Sequence, residues 1–114
     1  MNMVANSEPV VSYFGYWPEF ADGTVLRFLF ESPGTISLSV RYGDAMTGRS
    51  GEVDLRFERV TRAELDELRE QNVLDALVLT DGSPMEVRLE AAYGLHGSFA
   101  CESAAVVDFR RVAR

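Results

Sequence analysis

The chain of 114 residues carries one cysteine, Cys101, so it cannot hold an internal disulfide. A lone thiol suits a reducing compartment such as the cytosol. Histidine is equally scarce, with His96 alone. Two such residues cannot supply the four nitrogen or sulfur ligands of a structural zinc site. No glycine-rich run matches a phosphate-binding fingerprint. No stretch approaches the roughly eighteen consecutive apolar residues that a membrane-spanning helix needs. Met1 to Pro9 have neither a basic start nor an apolar run, so no secretory leader is expected. Positive charge is short as well: eleven basic residues stand against eighteen acidic ones, a net charge of −7. Nucleic-acid binders normally present a basic face, and anionic membranes attract basic segments, so both partners are disfavoured. An acidic surface aids solubility, and it complements a basic protein partner, whose encounter it speeds. The expectation is a cytoplasmic protein with no cofactor and no metal.

What is present reads as one globular domain. The composition is 46% hydrophobic and 25% charged, which is ordinary for such a fold. A chain of this size can bury roughly two-thirds of its unfolded surface without staples. Residues 1–8 or so are expected to be disordered up to a helix start at Ser7-Glu8-Pro9, where Ser7 offers a cap and proline fits the first turn. Val10, Val11 and Phe14 fall at helical spacing, and Gly15 is the stop. "TVLRFLFE", Thr24 to Glu31, reads as a strand buried on most of its length. Ser32-Pro33-Gly34 is a turn signal, and "TISLSVR" after it alternates, with Ile36, Leu38 and Val40 on one side. These two runs predict a hairpin. Gly43 to Gly51, with three glycines, reads as a loop. "VDLRFE" alternates again, pointing Val53, Leu55 and Phe57 inward and Asp54, Arg56 and Glu58 outward. Thr61-Arg62-Ala63-Glu64 has the form of a capping box, and the residues after it are good helix formers, so a second short helix is expected over residues 62–70. Ala76 to Thr80 reads as a strand. "MEVRLE" turns Met85, Val87 and Leu89 in and Glu86, Arg88 and Glu90 out, and two more strands lie in "YGLHGSFACE" and "AVVDFRRV". The expected class is α+β: a mainly antiparallel, curved sheet of six or seven strands with one or two short helices.

Chemistry has few candidates. Nucleophilic chemistry would need Cys101 or a serine beside a histidine that an acid orients; His96 lies five residues before Cys101, and nothing in that spacing requires the two to meet. A cysteine in an alternating apolar strand is more often a small core residue. Asp22, Asp44, Asp81 and Asp108 are scattered and suit turns better than a hard-cation site, which needs converging oxygens. Asp54 with Glu58, and Glu86 with Glu90, share outward faces. Acid–base work would require burial to displace one pKa of such a pair; a partner surface requires only their charge. The glycine-rich loop 43–51 is a further candidate surface.

"FGYWPEFADGTVLRFLF", with Gly15, Trp17, Pro18, Phe20 and Asp22, resembles the amino-terminal motif of the immunity protein 50 family. "LRFERV", "QNVLDALVL" with Asn72, and "YGLHGSFACES" with Gly94, His96, Gly97, Phe99 and Cys101 continue the resemblance in order, over about residues 13–109. Ala21 stands where the family usually has histidine. The resemblance implies a bacterial immunity protein that neutralises a polymorphic toxin by occluding its active site, without catalysis. A basic nuclease would fit the net charge, since acidic side chains can mimic phosphates. On this reading the motif residues are structural, with Trp17 and Phe20 sealing a sheet edge and Pro18 fixing a turn. The partner surface would draw on Asp54, Glu58, Glu86, Glu90 and Tyr16. An accessory protein-binding domain and a small hydrolase using His96 and Cys101 remain the alternatives.

Overall fold

The computed structural model describes residues 3–112. The described chain is mostly β rather than α+β. Nine strands form one sheet, and the helical content is a single helix of seven residues. In chain order the elements are β1 (Val4–Ala5), α1 (Glu8–Phe14), β2 (Thr24–Glu31), β3 (Thr35–Asp44), β4 (Arg49–Glu58), β5 (Arg62–Asp66), β6 (Asn72–Thr80), β7 (Met85–Tyr93), β8 (His96–Cys101) and β9 (Ser103–Val112). The sheet order is β1-β9-β4-β3-β2-β6-β7-β8-β5. It is mixed, because β1 runs parallel to β9 while the other pairs are antiparallel. Val4 is buried in the core and α1 begins at Glu8, so residues 3–8 do not show the disorder expected for residues 1–8; residues 1 and 2 lie outside the described residues.

The clearest correction concerns residues 62–70. The capping-box pattern is overridden by pairing, and β5 forms instead, antiparallel to β8. The Thr61 amide donates to the Ala100 carbonyl, and the Glu64 carboxylate goes to Arg62, so neither group is left for a cap. Alternation was present in "RAELD" all along: Arg62, Glu64 and Asp66 share one side, and Leu65 packs on the core from the other. Good helix formers set only a weak bias, which a sheet edge with matching alternation outweighs. Glu67, at a φ of 65°, ends the strand. The expected helix at the start does form. Ser7 caps it through its backbone carbonyl, which accepts from the Val10 and Val11 amides, and its hydroxyl makes no cap. Gly15 closes it in the left-handed region, at a φ of 91°. The loop 43–51 shrinks to the turn between β3 and β4, where the buried Asp44 carboxylate accepts from the Met46 amide and the Thr47 hydroxyl.

β2 meets β6 over only two residue pairs, Thr24–Val73 and Val25–Asn72. There the sheet folds over on itself. One half, β1-β9-β4-β3-β2, turns its apolar face onto the other, β6-β7-β8-β5. Ile36, Leu38, Val40, Val53, Leu55 and Phe57 come from the first half, and Leu74, Leu77, Val87, Leu89 and Phe99 from the second. Phe57 and Phe99 meet edge to face across the fold, with centroids 5.0 Å apart. Backbone bonds tie the same end: the Glu102 amide donates to the Glu58 carbonyl and the Val60 amide to the Gly34 carbonyl. β2 departs from expectation, because none of its residues is fully buried.

Gly97 is required where β5 pairs with β8, opposite Leu65. Its φ is 135°, and a Cβ there would collide with the Glu64 carbonyl oxygen. Gly97→Ala should cost more than about 1 kcal/mol in urea unfolding, with amide exchange quickening first in β5. Unchanged stability would contradict this close approach.

Candidate functional site

The aromatic run of the opening motif is largely interior. α1 and the segment after it cover the end of the core formed by β3, β4 and β9. Phe14 packs edge to face on Tyr42, and Tyr13 lies against Phe109. Phe20 is completely buried, touching Trp17 on one side and Tyr42 on the other. Its φ of 61° is rare for a bulky residue. That costs about 1–2 kcal/mol, which burial of the ring, about 1.5–3 kcal/mol, offsets. Pro18 is buried and Trp17 half-buried. Trp17, Glu19, Leu77 and Leu79 line a small hollow of about 250 Å³. The segment then runs along β6: Leu77 donates to the Glu19 carbonyl, Asp22 to the Leu74 carbonyl, and Leu74 to the Gly23 carbonyl. Ala21 is exposed beside Asp22.

The second motif cluster is a structural joint. Asn72 is buried, and its Oδ1 accepts from the Leu95 amide at 2.8 Å and the Arg69 amide at 3.1 Å, while its Nδ2 donates to the Arg69 carbonyl. Gly94 sits against that side chain with no room for a Cβ. His96 and Cys101 lie at opposite ends of β8, about 16 Å apart at the usual rise of an extended strand. His96 is exposed opposite Asp66. Cys101 is buried opposite Met85, and burial pushes its thiol up to about 11. The structure therefore does not bring the two together. Among the described residues no group of His, Cys, Asp and Glu side chains is arranged to hold a metal ion.

The outward acids prove to be mostly occupied. Asp54 on β4 takes a two-pronged hydrogen bond from Arg110 on β9, with both contacts at 3.0 Å. Arg110 also reaches Glu52 and Asp108, and Arg41 holds Glu52 from the other side. The Arg110 hydrogen bond keeps the Asp54 carboxyl below its ordinary range, and that of Arg41 does the same for Glu52. In the other half Glu86 is gripped by Arg62 at 2.7 and 2.8 Å. Glu90 is bonded to Arg88 at 2.9 Å. Of the four carboxylates expected to face a partner, Glu58 alone has no ion-pair partner among the described residues. Tyr16 is exposed, and its hydroxyl lies 2.6 Å from that of Tyr42.

These arginines were missed in the sequence because register decides them. Arg110 reaches Asp54 only because β9 pairs antiparallel with β4, setting Glu52 opposite Arg110 and Asp54 opposite Asp108. The available signal was compositional. The chain has no lysine, so all eleven basic residues are arginine, the side chain whose planar fork suits two-pronged carboxylate contacts. What the pairing leaves as exposed acids without an ion-pair partner includes Glu19, Asp22, Glu58, Asp66 and Asp75. Glu19 and Asp22 lie on the segment that runs along β6, the strand carrying Asp75.

The Asp54 shift has a sign that can be tested. A depressed carboxyl contributes stability above its unfolded pKa, near the ordinary 3.8, and loses it as pH falls through the lower folded value. Arg110→Ala should cost about 1 kcal/mol at neutral pH, and the gap to the unaltered protein should narrow below about pH 4. A constant gap down to the acid limit would contradict the ladder. Comparison of the chain with family models, with curated proteins and with solved structures finds no match.

Proposed function

We propose that this protein is an immunity protein: it acts in the cytoplasm by binding a basic toxin, a nuclease being the class that fits, and by covering the surface the toxin uses on its own substrate. The reading rests on the resemblance carried by Gly15, Trp17, Pro18, Phe20, Asp22, Asn72 and the His96–Cys101 run. One structural observation supports it, the sorting of the carboxylates. Arginine ladders neutralise much of the acid on the sheet faces around Asp54 and around Glu86 and Glu90. Much of the net charge of −7 is therefore displayed elsewhere. Exposed acids without an ion-pair partner include Glu19 and Asp22 in the opening motif, Asp75 on β6, Asp66 at the end of β5 and Glu58 at the end of β4. Such carboxylates need not leave an internal partner before meeting an external arginine or lysine, so they attract a basic surface at lower cost than Asp54 or Glu86. Tyr16 stands exposed in the same motif as Glu19 and Asp22 and supplies the kind of rigid aromatic contact common at binding hot spots.

The test is co-expression with the toxin whose gene adjoins its own. Growth should be protected, and the two proteins should co-elute at low salt with an affinity that falls as salt rises. Glu58→Arg and Asp22→Arg should each weaken the complex on the order of tenfold. Arg88→Ala, which frees Glu90, should not weaken it. Absence of a complex at low salt would refute the proposal.

A further inference from the structure

Among the described residues two strands keep a long uncovered edge: β9 beyond Ala105, whose open stretch carries three charged residues, Asp108, Arg110 and Arg111, and β2, whose open stretch is mostly apolar. β2 pairs with β3 along its length, and with β6 only at Thr24 and Val25. From Leu26 to Glu31 its second edge makes no backbone hydrogen bond to any described residue. Leu26 is 47% exposed and Phe30 52%. The outermost strands of the sheet are protected in the usual ways. β1 is two residues long, and three of the five residues of β5 are charged. The open stretch of β2, "LRFLFE", instead holds four large apolar residues, no proline and two charges of opposite sign.

We propose that this edge pairs with β2 of a second copy of the chain, antiparallel, about a two-fold axis through Leu29. The sequence of the edge is self-complementary in that one register. Leu29 meets Leu29 of the second copy, Phe28 meets its Phe30, and Arg27 meets its Glu31, each pair occurring twice except the one on the axis. Directly opposed residues of an antiparallel pair share a face. The Arg27–Glu31 pairs therefore lie on the outer side with Leu29, and the phenylalanine pairs on the core side. Within one chain neither Arg27 nor Glu31 makes a contact ion pair among the described residues, although the Arg27 charge acts on Asp54, two strands away in the same row. Shifting the register by one residue would set apolar side chains of one copy against the outer side of the other, a mismatch that penalises alternatives. A two-fold pairing of this kind closes on itself and uses up the open edge of β2 in both copies, so it yields dimers rather than fibres. It also leaves Glu19, Asp22, Glu58 and Asp75 on other elements of the fold, so the inference stands apart from the toxin-binding reading.

Sedimentation of the full chain from low to high micromolar concentration tests it. The unaltered protein should pass from monomer to dimer with rising concentration. Arg27→Glu sets like charges opposite each other at both pairs and should raise the dimer dissociation constant about tenfold or more, and Glu31→Arg should do the same. Arg27→Glu combined with Glu31→Arg should restore the dimer. Both positions are exposed, and an unchanged near-ultraviolet circular dichroism signal from the aromatic core confirms the fold of each variant. A protein that stays monomeric throughout overturns the proposal. So does a dimer indifferent to the single reversals, a double reversal that fails to restore pairing, or an edge that gains amide protection only when a different protein is added.

Discussion

Contact between the two halves of the folded sheet, centred on the edge-to-face meeting of Phe57 and Phe99, is what the rest of the structure depends on. A single sheet has two faces, and a chain of this composition has apolar side chains for only one of them. Folding the sheet at the short β2–β6 overlap places the apolar face of each half against the other and leaves the polar faces outside. The opening aromatic motif then closes the end of the core that the strands leave open, through Phe14, Phe20 and Tyr42. Neither half has a buried apolar face without its counterpart.

The surface chemistry follows from that geometry. Because the fold turns every second side chain of β4, β7 and β9 outward, acids and arginines on neighbouring strands are brought opposite one another. They then neutralise much of the charge that the strands carry. Uncompensated acid is left on the connecting segment 19–22, on β6 and at strand ends. The same short overlap that lets the sheet fold also strips β2 of a neighbour beyond Val25, which is why its apolar residues reach the surface.

Much of this was legible residue by residue. Period-two runs marked β3, β4 and β7 with the correct inward residues, and Gly15 marked the end of α1, because each depends on local geometry. β5 was not legible, since its helix formers say nothing about the strand β8 waiting to pair with it. β1 is two residues long and exists only because β9 passes beside it. The exposure of β2 is invisible in "TVLRFLFE", whose apolar content is that of a central strand; only the offset between β2 and β6 reveals an edge. At the candidate site Glu58 and Tyr16 keep their expected exposure. Asp54, Glu86 and Glu90 lose their freedom to arginines whose reach depends on strand register. The wide separation of His96 and Cys101 likewise required the strand itself: five residues of helix would have left them far closer together.

The most direct measurement of the central claim is a double-mutant cycle on Phe57→Leu and Phe99→Leu, read by chemical denaturation. If the rings hold the two halves of the sheet together, the paired substitution costs less than the sum of the single ones, with a coupling of about 0.5–1.5 kcal/mol. Strict additivity would mean that the rings do not meet, and that the sheet does not fold over on itself as described.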